Sequence, residues 1–86
     1  MISELLGTGQ SSAIPLRALV SATGLDGRAV RRLIQAERLR GVPICADNVR
    51  DYYLPENEAE RAAFVRSMQG RAREIRRVAA AIDKAK

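Results

Sequence analysis

Residues 16–40, LRALVSATGLDGRAVRRLIQAERLR, constrain the fold more than any other part of the chain. Gly24 divides the stretch. Leu16, Leu19, Val20 and Thr23 precede it on one face of a short helix, and Leu25, Val30, Leu33 and Ile34 follow on one face of another. Apolar residues three and four apart line one side of an α-helix, so each half predicts an amphipathic helix. A glycine between them supplies the positive backbone angle that a tight corner needs. The first helix is expected over residues 16–22 and the second over about 27–40. Asp26 stands at the N-cap, where its carboxylate accepts hydrogen bonds from the free amides of the second helix and complements the positive helix end. This is a helix-turn-helix pattern. Packing the two apolar faces together leaves Gly27, Arg28, Arg31, Arg32 and Gln35 on the outer surface of the second helix.

The charge on that surface suggests what it meets. The 86-residue chain has 15 basic and 10 acidic side chains, a formal charge of +5, and 13 of the basic residues are arginine. Arginine is the side chain best shaped for bidentate contact with phosphate or guanine. Residues 16–41 hold six arginines against Asp26 and Glu37, whereas residues 42–55 hold Arg50 against Asp47 and Asp51. Basicity is therefore concentrated on the two-helix unit and again on the C-terminal segment, as expected of a chain that meets a polyanion. In a helix docked in the major groove, residues of the N-terminal half reach base edges. Arg28, Arg31 and Arg32 are then candidates for guanine O6 and N7, Gln35 for adenine, and Gly27 for close approach to the backbone or a base. Arg17 and Arg50 are candidate phosphate contacts. The competing reading is a solvated arginine face with no partner, and the coincidence of the arginines with the turn favours DNA. Tyr52, Tyr53 and Phe64 are the only aromatic residues, too few for the stacked-ring surfaces that bind single strands or RNA.

Other chemistries lack their residues. The chain has no histidine, and its one cysteine, Cys45, has no partner for a disulfide, a zinc site or an activated thiolate. Cys45 is expected as a small buried hydrophobe. Glu56, Glu58 and Glu60 diverge on a helix and read as its solvated start, and Gly7-Thr8-Gly9 lacks the lysine and the preceding strand of a phosphate-binding loop. No enzyme, catalytic residue, metal, cofactor or small-molecule substrate is expected. Neither a secretory leader nor a membrane-spanning run is visible, so the expected setting is cytoplasmic.

The length suits one small domain. Residues 2–6 predict a short helix ending at Gly7 and Gly9, and Gln10, Ser11 and Ser12 a loop. Ala13 and Ile14 predict a brief strand, since the residue before Pro15 is pushed away from helical angles. After the second helix, residues 42–45 and 51–54 are strand-like and the turn formers between them predict a hairpin, with Arg50 near its tip. Pro43, lacking a donor amide, belongs on an edge. Residues 56–83 predict a long helix. Its seam, Val65, Met68, Ala72, Ile75, Ala79 and Ile82, has spacings of 3, 4, 3, 4 and 3, with Gly70 a candidate kink. Two uses of the seam stay open: folding back onto the rest of the chain, through Phe64, Val65 and Met68, or dimerisation through Ile75, Ala79 and Ile82. Arg66, Arg73 and Arg77 form a separate solvated stripe.

Residues 16–56 resemble a known family. Thr23-Gly24-Leu25, the run Leu39-Arg40-Gly41-Val42-Pro43-Ile44, and Tyr53-Leu54-Pro55-Glu56 look like the winged helix-turn-helix that precedes the ligase in biotin repressor proteins, and are similar in outline to small phage and prophage winged-helix proteins. The resemblance covers about half the chain. It implies DNA binding through the second helix, with Arg28, Arg31 and Arg32 in the contacting positions. The chain has no ligase domain, so no biotin chemistry follows, and its hairpin segment Asp47-Asn48-Val49-Arg50-Asp51 lacks the usual glycines and carries two acids. The expected architecture is mainly α: a winged helix-turn-helix of three helices and a small two- or three-stranded wing over residues 1–55, then a C-terminal helix over 56–86. The expected function is sequence-specific double-stranded DNA binding, as a small transcriptional regulator or a phage or mobile-element protein. The alternative is a winged-helix interaction module that assembles through its C-terminal helix.

Overall fold

Thr23, Gly24 and Asp26 close the corner between the first two helices, and each uses a different device. A computed structural model describes residues 1–47 and 51–85. In it α1 spans Leu16–Thr23 and α2 spans Gly27–Leu39. Gly24 lies in the left-handed region at φ 74° and its amide donates to the Val20 carbonyl at 2.9 Å. Thr23 Oγ1 donates to the Leu19 carbonyl at 2.7 Å and accepts from the Leu25 amide at 3.2 Å. Asp26 Oδ1 accepts from the Ala29 amide at 2.8 Å, as an N-cap should.

At its far end α2 stops in a Schellman arrangement. Gly41, at φ 98°, donates to the Arg38 carbonyl at 2.9 Å, and the Val42 amide donates to the Glu37 carbonyl at 3.0 Å. This cap corrects the expected start of the hairpin. Val42 is held by the helix end, Pro43 has no amide, and the Ile44 amide turns back to the Val42 carbonyl at 2.9 Å, so pairing begins only at Cys45. Strand β2 is Cys45–Asp47 and β3 is Asp51–Tyr53, with β1, Ile14–Pro15, on the other side of β3. The sheet is antiparallel in the order β1-β3-β2, with Ile14 and Ala46 flanking Tyr52 and Asp47 opposite Asp51. Arg50 lies outside the described residues.

The N-terminal segment forms the expected short helix as a 3-10 helix, Ile2–Leu5, and Gln10–Ser12, expected as a loop, is a second such turn. Between them residues 7–9 run beside β3. The Leu54 amide donates to the Gly7 carbonyl at 2.9 Å and the Gly9 amide to the Leu54 carbonyl at 2.7 Å. Ile2, Leu19, Val30, Ile34, Ile44 and Tyr52 form the core, with Leu6, Leu16, Val20 and Leu54 packed against it. Leu25 and Leu33, expected inside, are each 40% exposed. The buried stripe of α2 is Val30, Ile34 and Glu37, and Leu33 lies to one side of it, at the edge that meets solvent.

Glu37 is the one charged side chain buried among the described residues, at 2% exposure. Its Oε2 accepts from the Ile2 amide at 2.7 Å and its Oε1 from the Ser3 amide at 3.1 Å. Burial alone would raise its pKa, but these amide hydrogen bonds outweigh it and hold the carboxyl below the ordinary glutamate value.

Helix α3, Glu58–Lys84, runs unbroken through Gly70. Asn57 Oδ1 caps it by accepting from the Glu60 amide at 2.9 Å. The Glu60 carboxylate, expected to be merely solvated, accepts from the Glu56 amide at 2.9 Å and the Gln10 amide at 3.2 Å, which ties the helix start to the body. The described residues are thus mainly helical, with three α-helices and a small antiparallel sheet, and no described helix is long and apolar enough to cross a membrane.

Glu37→Ala should cost about 2–4 kcal/mol, because it orphans two amides in the interior, and thermal unfolding followed by circular dichroism will measure it. Because the folded-state pKa lies below the unfolded one, the contribution of Glu37 is complete above about pH 4.5 and is lost as pH falls through the folded value. The difference in melting temperature between wild type and the variant should therefore shrink on the acid side of that pH.

Candidate nucleic-acid interface

Burying Val30, Ile34 and Glu37 fixes the rotation of α2 about its axis, and with it the side that faces solvent. Arg28, Arg32 and Gln35 follow one another at spacings of four and three on the side away from the buried stripe, and all three are exposed. Arg31 is also exposed and stands at the margin of this face, one turn along from Gly27. Leu39 continues the line beyond Gln35 and is likewise exposed. Among the described residues none of Arg28, Arg31 and Arg32 forms an ion pair, in contrast to Arg61 with Glu58 and Arg77 with Glu74. Their guanidinium groups are free to meet an anion.

Gly27 has a structural reason to be glycine. A Cβ there would meet Leu16 Cδ2 at 3.2 Å, closer than ordinary packing, so the residue lets the start of α2 approach α1. What it can offer a ligand is its backbone amide at the positive end of α2. Arg17 is exposed in the first turn of α1.

Among the described residues, the last pair of β2 and β3 carries the opposite sign. Asp47 and Asp51 are directly paired across β2 and β3, and like charges in that position repel one another and any nearby phosphate.

Arg38, counted by sequence with the basic residues of the two-helix unit, is half-buried against the body. Its Nε donates to the Ile44 carbonyl at 2.8 Å, its Cζ lies 5.2 Å from the centre of the Phe64 ring, and burial lowers its pKa from the usual arginine value. The side chain braces α2, the segment before β2 and α3, and is withdrawn from the exposed face. The roles of Glu37 and Arg38 were missed in the sequence, although Glu37 falls at the 30–34–37 spacing of the core stripe. Cys45 is buried, and burial pushes its thiol pKa up, away from thiolate chemistry.

Compared with family models, with curated proteins and with solved structures, the chain has no match in any of the three.

The position of the arginine face depends on the cap that starts α2. Asp26→Ala removes the acceptor for the Ala29 amide and should cost about 1 kcal/mol, a fall of roughly 4–8 °C in melting temperature for a domain of this size. Asp26→Ser, which keeps an acceptor, should recover most of the loss in the same melt.

Proposed function

We propose that the protein binds double-stranded DNA as a winged helix-turn-helix, with α2 in the major groove and the hairpin β2–β3 as its wing. The observation that carries this reading is the exposed, unpaired set Arg28, Arg31, Arg32 and Gln35 on the helix that follows a capped turn. Supporting it, a hairpin follows α2 directly and pairs through β3 with the strand that precedes α1. Arg28 and Arg32 are the base-reading candidates because they share the centre of the face in the first half of α2, and bidentate contact with guanine is the chemistry that suits them. Gln35 is the candidate for adenine. Arg31, at the margin, and Arg17 suit phosphates. Sequence-specific action as a small transcriptional regulator or a phage or mobile-element protein is the biological role that fits such a binder.

A second reading, an interaction module with no DNA role, is favoured by the Asp47 and Asp51 pair, which sets negative charge on the element that would flank the duplex.

Fluorescence anisotropy with a random-sequence duplex separates the two. The DNA reading predicts binding at low salt that weakens linearly on a log–log plot as salt rises, because counterions are released from the duplex. Arg28→Ala with Arg32→Ala should weaken binding at least about tenfold, a loss near 1.4 kcal/mol or more, while the circular dichroism spectrum stays that of the wild type. Unchanged affinity in that folded variant would sink the assignment of this face, and no binding of the wild type at low salt would favour the interaction module.

A further inference from the structure

From Arg71 to Lys84 every side chain of α3 is exposed, yet this end of the helix carries an apolar face. Ile75, Val78 and Ile82 are 69%, 50% and 68% exposed. The spacing of the seam puts Val65, Ala72 and Ala79 at heptad position a and Met68, Ile75 and Ile82 at d. The first turns of the seam have neighbours at home, since Val65 and Met68 border a groove with Arg38, Pro43 and Phe64. Residues 72–82 are exposed throughout.

We propose that this end of α3 pairs with α3 of a second copy of the chain, antiparallel, about a two-fold axis level with Arg77. Size complementarity points to that occupant and that orientation. Antiparallel helices set each a position against a partner's d position. With the axis level with residue 77, Ala72 meets the partner's Ile82 and Ile75 meets the partner's Ala79. The two-fold axis repeats both layers in reverse. Each layer then joins one small and one branched side chain, which fills the seam. A parallel pair would stack alanine on alanine and isoleucine on isoleucine.

Charge makes the same choice independently. On one edge of the antiparallel seam Arg76 lies beside the partner's Asp83, and the symmetry supplies that ion pair twice. On the other edge Val78 faces the partner's Val78. A parallel pair would instead set Arg71 against the partner's Arg76 on both edges, four positive charges along one short seam. A helix that matches itself in size and in charge only when antiparallel is self-complementary, which is the requirement of an isologous interface. The proposal does not rest on the DNA reading, and either can fail without the other.

Sedimentation equilibrium of the full chain, with no DNA present, tests it. The wild type should be in a concentration-dependent monomer–dimer equilibrium, and Ile75→Asp should be monomeric with unchanged helix content. Arg76→Asp should weaken the dimer at least about tenfold, and Arg76→Asp combined with Asp83→Arg should restore it to within about threefold, since the swap rebuilds both ion pairs. A wild type that stays monomeric up to millimolar concentration overturns the proposal. So does an Arg76→Asp variant that associates more tightly, which is the response of a parallel pair relieved of its repulsion, or a swapped variant that shows no recovery.

Discussion

A single buried carboxylate sets the geometry on which the rest of the molecule depends. Glu37 sits on the core-facing stripe of α2 and is stable there because the Ile2 and Ser3 amides donate to it. A charge in that position would otherwise be costly, since an interior cannot replace the water it loses. Binding those amides draws the N-terminal 3-10 helix over the core and places Ile2 among the buried residues. It also fixes which side of α2 faces inward. With Val30, Ile34 and Glu37 committed to the interior, Arg28, Arg32 and Gln35 have nowhere to point but outward.

The elements of the two-helix unit were readable because their signals are local. Gly24 and Asp26 act on backbone groups within four residues of themselves, and the periodicity of residues 16–34 needs no knowledge of the rest of the chain. What was not readable depends on distant partners. The start of β2 moved from Val42 to Cys45 because the helix end takes the Val42 amide, and nothing in the strand-like composition of residues 42–45 announces that competition. Glu37 and Arg38 were counted by sequence as surface charge, yet one is satisfied by amides more than thirty residues away and the other lies over Phe64 of α3. The apolar character of Leu25 and Leu33 likewise predicted burial, while both reach the surface, Leu25 in the turn before α2 and Leu33 beside its buried stripe. The outer arginine face was legible as a by-product of the core pattern, whereas its separation into central and marginal positions needed the rotation of α2.

Two regions of positive charge emerge with different surroundings. On α2 the arginines stand without acidic partners among the described residues, beside a hairpin whose Asp47 and Asp51 narrow the surface over which an anion can be held. On α3 six arginines share the helix with four acids, two of them paired as Arg61 with Glu58 and Arg77 with Glu74, and they flank an apolar seam. Arg38 is the mechanical link between them. Its stem and guanidinium hold the end of α2, the segment before β2 and the Phe64 ring together.

The proposed duplex-binding surface is the exposed side of α2. Amide chemical-shift mapping by NMR, during titration with a short random-sequence duplex at low salt, tests it most directly. The largest shifts are expected on residues 27–36, with smaller ones at the start of α1 and little change in α3. Shifts confined to the arginines of α3, or no shifts at all, would contradict it.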